Sequence, residues 1–91
     1  MAESLALAGL RVVDLTDETG HLAGRILADL GAEVLKIEPP GGDATRRRGP
    51  FLGGEPHPDA GAQWLARNLG KRSVVLDLDA AADRERLQAL L

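Results

Sequence analysis

The residues best placed to do chemistry begin with the turn Thr19-Gly20-His21, between a β-branched run and an amphipathic segment. A helix opening there offers free N–H groups and partial positive charge to a phosphate or pyrophosphate, and glycine lets the backbone approach closely. A plain tight turn has the same spacing. The dinucleotide fingerprint G-x-G-x-x-G is missing, since Gly20 and Gly24 give only G-x-x-x-G. Glu38 stands where an acid holds a ribose hydroxyl in dinucleotide-binding folds. Pro39 and Pro40 follow at once, which favours a strand-end acid leading into a rigid turn. Arg46-Arg47-Arg48, beside a Gly-rich loop, suits phosphate or carboxylate. Such runs are more often solvated loops, and Asp43 offsets part of the charge. Lys71 and Arg72 precede a third Val-rich run that Asp77 and Asp79 close. Open α/β sheets place ligands at strand carboxyl ends, so Asp77–Asp79 has the better position; a strand-edge charge and a helix cap at Asp79 are the plain alternative. Asp14 and Asp17 read as turn formers rather than catalysts. His21 and His57 are single, without metal-ligand spacing, so no metal is expected, and His57 reads as exposed.

The elements that must position these residues follow from periodicity. Arg11–Leu15, Glu33–Ile37 and Ser73–Leu78 are predicted strands. Gly20–Leu30 is a predicted helix whose apolar residues Leu22, Ala23, Ile26, Leu27 and Leu30 recur at helical spacing, with Arg25 and Asp29 between them. Gly31 stops it in a left-handed conformation. Arg11–Ile37 is thus a βαβ crossover of right-handed sense. A Gly/Pro-rich loop fills 39–58. Asp59–Asn68 reads as a short helix with Asp59 as N-cap and Trp64 and Leu65 facing inward. Asp79 caps a last helix over Ala80–Leu91, with an apolar stripe of Leu87, Leu90 and Leu91. That apolar end points to a chain continuing, or docking, beyond this segment.

Composition bounds the rest. Ninety-one residues, 44% hydrophobic and 27% charged, make one small α/β domain over residues 1–91. Phe51 and Trp64 are the only aromatics, so Leu, Val, Ile and Ala are expected to form the core. A net charge of −3 argues against a general nucleic-acid binder. The absence of cysteine fits a reducing cytoplasm. No apolar run approaches the ~20 residues of a membrane span, and the start MAESLALAGL does not look like a signal peptide.

Three stretches, GLRVVDLT, AGRILADLGAEVLKIEPPGGDATRRRGPF and NLGKRSVVLDLD, resemble in order and spacing the N-terminal part of family III CoA-transferases, the CaiB/BaiF family, from Gly9 to about Leu91. The resemblance implies a Rossmann-like βαβαβα start of a parallel sheet that binds coenzyme A, incomplete relative to the family fold. It further implies transfer of CoA from an acyl-CoA to a carboxylate through a catalytic aspartate, and two interlocked subunits. A side branch of the family racemises α-methylacyl-CoA. The family aspartate falls beyond position 91, so no catalytic residue is expected here. By position, the CoA contacts carry over to Glu18, Thr19 and Gly20, to Pro39, and to Leu76, Asp77, Leu78 and Asp79. Lys71 and Arg72 match the family's Lys-Arg pair and would attract phosphates. Thr-Gly-His replaces the usual Ala-Gly-Pro, the turn is one residue short, and Pro39 offers no charge where some members carry Arg. The expected partners are acyl-CoA and either a second copy or a chain carrying the rest of the fold. The alternative is a non-catalytic assembly module; a nicotinamide domain is disfavoured by the missing fingerprint.

Overall fold

The computed structural model describes residues 5–91. Strand β1 (Arg11–Asp14), helix α1 (His21–Asp29), strand β2 (Glu33–Glu38), a 3₁₀ turn (Ala44–Arg47), helix α2 (Ala62–Asn68), strand β3 (Arg72–Val75) and helix α3 (Ala81–Leu90) follow in order. The three strands are parallel in the order β1-β2-β3. Val13 pairs with Leu35, and Leu35 with Arg72. Consecutive parallel strands joined by right-handed crossovers place both connecting helices on one face of the sheet, and α1 packs on α2 and on β2.

The α/β class and element order match the sequence reading; several boundaries differ for local reasons. Gly31 ends α1 at φ +107°, as expected of a glycine stop. α2 begins three residues later than predicted because Asp59 does not cap it. Its carboxylate accepts from Arg46 Nη1 at 2.9 Å, and Gly61 takes the N-cap position. β3 stops at Val75: Leu76 N still reaches Glu38 O at 3.0 Å, but Asp77 N turns to the Asp83 carboxylate at 2.7 Å. Asp79 is likewise no cap, since Ala80 holds that position. The 3₁₀ turn was not anticipated; the Asp43 side chain starts it by accepting from Thr45 N at 2.8 Å.

The packing departs from an aliphatic core. The apolar stripe of α1 faces outward, with Leu22, Ile26 and Leu30 all exposed, while His21 and Gly24 are the residues buried against the sheet. The last helix buries none of its residues, and Leu91 is exposed. The core is accordingly not purely aliphatic. Val34, Leu35, Ile37, Trp64 and Leu76 are buried, but so are Asp14, His21, Lys36, Glu38, Asp43, Thr45 and Asn68.

Strand alternation explains the polar share. On one face β1, β2 and β3 present Asp14, Lys36 and Glu38, and Ser73, beneath the helices. On the other they present Arg11, Glu33 and Arg72, where Glu33 lies 3.7 Å from Arg11 and 3.9 Å from Arg72. No helix among the described residues is long and apolar enough to cross a membrane.

Candidate functional site at the carboxyl edge of the sheet

A charged network fills the space between the sheet and helices α1 and α2. Asp14 Oδ2 accepts from Lys71 Nζ at 2.6 Å, and its Oδ1 accepts from Thr16 N and Oγ1 at 2.9 and 2.6 Å. Lys71 Nζ spends its other protons on His21 O at 2.9 Å and Asn68 Oδ1 at 2.8 Å. Asn68 therefore turns its amide nitrogen toward Trp64 O and His21 Nδ1, at 3.1 and 3.2 Å. An accepting Nδ1 puts the ring proton on Nε2, which donates to Asp43 Oδ2 at 3.0 Å. The bonds thus assign one neutral tautomer to His21, whose pKa burial pushes down although Asp43 opposes it. Asp14 and Asp43 stay below the ordinary carboxylate range. Burial raises both, but Lys71 and Thr16 outweigh it for Asp14, and Thr45 and His21 for Asp43. Lys36 Nζ donates to Thr16 O and lies 3.9 Å from Asp14 and 4.0 Å from Asp43. Gly24 is required where α1 crosses this network: an added Cβ would sit 2.7 Å from Asp14 Oδ2 and 2.9 Å from Lys71 Nζ.

Glu38 anchors a second group of bonds. Its Oε1 accepts from Arg46 Nε at 2.6 Å and Asp43 N at 2.7 Å; its Oε2 accepts from Arg46 Nη2 at 2.7 Å and from Ser73 Oγ. Burial raises its pKa, yet these donors bring it down to about 2. Arg46 also stacks over Trp64, with 3.9 Å between its guanidinium carbon and the ring centroid. Glu38 is therefore saturated from within the chain and offers nothing to a ribose, in line with the rigid-turn reading. The arginine run divides three ways. Arg46 is an internal ion-pair partner, Arg47 donates to Gly41 O at 3.2 Å, and Arg48 pairs with Glu18.

Above this network the three strand ends open a cavity of about 360 Å³. Leu15–Asp17 after β1, Lys36–Pro40 with Asp43, and Leu76–Asp79 after β3 form its walls. Of the sequence-predicted site residues, Pro39, Leu76, Asp77, Leu78 and Asp79 line it together. Glu18, Thr19 and Gly20 continue the same edge without lining it. Thr19 N and Oγ1 bind Asp17 Oδ1 at 3.0 and 2.6 Å, and Gly20 abuts the Thr16 side chain. Lys71 lies beneath the cavity floor, its side chain 1% exposed, and Arg72 lies at the amino end of β3 with its side chain 77% exposed. Sequence reasoning missed Thr16 and Lys36 as wall residues. The signals available were the Asp-x-Thr turn signature after β1 and a lysine inside an otherwise buried strand.

A parallel α/β sheet with a ligand-sized cleft at its carboxyl edge is the architecture of nucleotide-type binding domains. The chain belongs to CoA-transferase family III, whose model matches residues 7–91. Succinyl-CoA:(R)-benzylsuccinate CoA-transferase subunit BbsE of Thauera aromatica is 41% identical over 80 residues, 88% of this chain and 20% of that protein. Succinyl-CoA:mesaconate CoA-transferase of Haloarcula hispanica is 42% identical over 87 residues, 94% of this chain and 22% of that protein. The crystal structure of a CaiB/BaiF family protein from Brucella suis superposes with TM-score 0.80 at 40% identity, covering 93% of this chain and 23% of that one. The chain spans about a fifth of the length of the curated relatives it matches.

Proposed function

We propose that these residues supply the coenzyme A site of a family III CoA-transferase, acting in the cytoplasm on an acyl-CoA and a carboxylate acceptor. The nucleotide end of CoA sits in the cavity where the three strands end. One observation carries this reading: Pro39 and Leu76–Asp79, which the family pattern implicates by position, line one cavity of about 360 Å³ at the sheet's carboxyl edge. Glu18, Thr19 and Gly20 form the adjoining rim. Lys71 serves the site at one remove, by holding Asp14 and through it the Thr16 turn. Arg72, at the far edge, contributes only long-range attraction for phosphates.

The chain binds without making or breaking the thioester. A nucleophilic carboxylate must be ionised, uncommitted and shielded from water. Asp14 and Asp43 are buried but committed to Lys71, Thr16, Thr45 and His21, whereas Asp79 is uncommitted but exposed. Calorimetric titration of the chain with CoA, beside an incubation with succinyl-CoA and a dicarboxylate, tests this reading. CoA binding without turnover is expected; failure to bind CoA, or CoA release by the chain alone, would refute it.

A second reading, an assembly module that docks on another copy or on a partner chain, draws on the outward stripe Leu22, Ile26 and Leu30 of α1. Size-exclusion chromatography separates the two. A monodisperse monomer that binds no hydrophobic dye counts against docking.

A further inference from the structure

The cavity at the carboxyl edge holds its charges in a particular order, with anions at the mouth and the cation at the base. Asp17 and Asp79 are exposed and Asp77 is half-buried, all three lining the opening. Asp17 and Asp77 each commit one oxygen, Oδ1, to backbone N–H groups of their own turns, at 3.0 Å to Thr19 and 3.0 Å to Asp79. Their Oδ2 atoms and the whole Asp79 carboxylate accept no bond from the described residues and face ligand or water.

The single cation of the lining is Lys36, with a side chain 2% exposed. Its ammonium is turned down onto Thr16 O, between Asp14 and Asp43. Of the cations nearby, Arg46 is committed to Glu38, Arg48 to Glu18 and Lys71 to Asp14, while Arg47, outside the lining, donates to Gly41 O. Pro39 fills a wall position with no charge. The acid that would hold a ribose at the end of the second strand, Glu38, has both oxygens saturated. Free acceptors for sugar hydroxyls thus lie just beyond β3, and no uncommitted cationic side chain lines the cavity to face a phosphate.

Resting on the CoA reading above, we propose that this cavity selects a nucleotide end whose ribose is not phosphorylated. Asp77 and Asp79 accept hydrogen bonds from the sugar hydroxyls, and a phosphate on that sugar is repelled. The chemical class favoured is an adenosine diphosphate group with a free ribose, as in 3′-dephospho-CoA. CoA itself binds with its 3′-phosphate turned to water. A phosphate near −2 set roughly 5 Å from a carboxylate in water loses about five- to tenfold in affinity.

Calorimetric titration of the chain with CoA and with 3′-dephospho-CoA, at about 50 and about 300 mM salt, tests this. 3′-Dephospho-CoA is expected to bind about fivefold tighter at low salt, with the gap narrowing as salt screens the repulsion. The double variant Asp77→Asn, Asp79→Asn, which keeps the volume and the turn acceptor, should close the gap to within about twofold. CoA binding as tightly as its dephosphorylated form at low salt, or weakening more steeply with salt, would overturn this selectivity and leave the CoA reading standing. Failure of both ligands to bind would overturn the two together.

Discussion

Replacing Glu38 by Gln tests whether the Glu38–Arg46 clasp holds the strand ends. Gln keeps the volume but can accept on one oxygen only. Arg46 is then left with an unpaired Nη2 beneath Trp64; Ser73 can turn its hydroxyl round, but a guanidinium has no acceptor to offer. A carboxyl whose pKa falls from an ordinary 4.5 to about 2 is held in its ionised form by about 3 kcal/mol. That agrees with the roughly 3–5 kcal/mol for breaking a buried pair. At roughly 4–8 °C per kcal/mol for a domain of this size, the midpoint of thermal unfolding should fall by about 12–24 °C. The pH dependence has a definite sign. The folded pKa lies below the unfolded one, so the stabilisation is complete above pH 4.5 and disappears as pH falls toward about 2. Urea unfolding, followed by circular dichroism and Trp64 fluorescence, should show a gap between wild type and Glu38→Gln that is largest at neutral pH and closes over that window. Asp14 and Asp43 titrate in both proteins and cancel in the difference. A gap under about 1 kcal/mol at neutral pH, or one of constant size down to pH 2, would refute the assignment.

Lys71→Met strands the Asp14 carboxylate in the interior and should destabilise by about 3–5 kcal/mol in urea titrations. Adding Asp14→Asn should restore at least about 1 kcal/mol as a coupling energy. Gly24→Ala should destabilise by roughly 1–3 kcal/mol despite the better helix propensity of alanine, because its methyl meets Asp14 and Lys71. A neutral or stabilising effect in thermal unfolding would show that α1 stands farther from the sheet. His21 stays neutral in the fold while the unfolded chain takes up a proton near pH 6.5, so wild-type stability should decline as pH falls below that value. His21→Gln should remove that slope; an unchanged slope would assign it to another group.

The β1–α1–β2 unit was legible because its signals are local. Two Val-rich runs flank a segment of 3.6-residue spacing that Gly31 ends. The placement of Asp77 and Asp79 was legible too, since parallel sheets open their clefts at the carboxyl edge whatever the sequence, whereas Pro39, Leu76 and Leu78 were implied by the family resemblance alone. The inward face of α1 was not. Helical spacing marks Leu22, Ile26 and Leu30 as one stripe but does not say which stripe meets the sheet. Here the sheet presents Asp14, Lys36 and Glu38, which select His21 and the bare Gly24. The burial of Lys71 was not legible for a related reason: its partner Asp14 lies 57 residues away and enters only through the tertiary fold. Asp59 looked like a helix cap because composition marks a cap candidate without showing that Arg46 will claim it, and Asp79 because a cap-type residue does not fix the residue at which the helix starts, here one later.

The buried network is balanced: Lys36, Arg46 and Lys71 are matched by Asp14, Glu38 and Asp43. The whole net charge of −3 is therefore carried by the remaining residues, and part of it stands at the mouth of the cleft. Buried ion pairs add little net stability compared with aliphatic packing of the same volume, so the effect of these pairs lies in their direction. Asp14 ties β1 to the segment before β3 through Lys71, and Glu38 ties β2 to β3 through Ser73. Lys36 ties β2 to the Thr16 turn that follows β1. Each bond fixes a residue at the carboxyl end of β1 or β2, the two strands whose ends form two walls of the cavity. An aliphatic core would leave those ends free to slide, since dispersion contacts are not directional, whereas charge-assisted bonds near 2.7 Å are. The same bonds draw Lys36, Arg46 and Lys71 inward. The carboxylates of Asp17, Asp77 and Asp79 at the rim are what this arrangement leaves without a cationic partner.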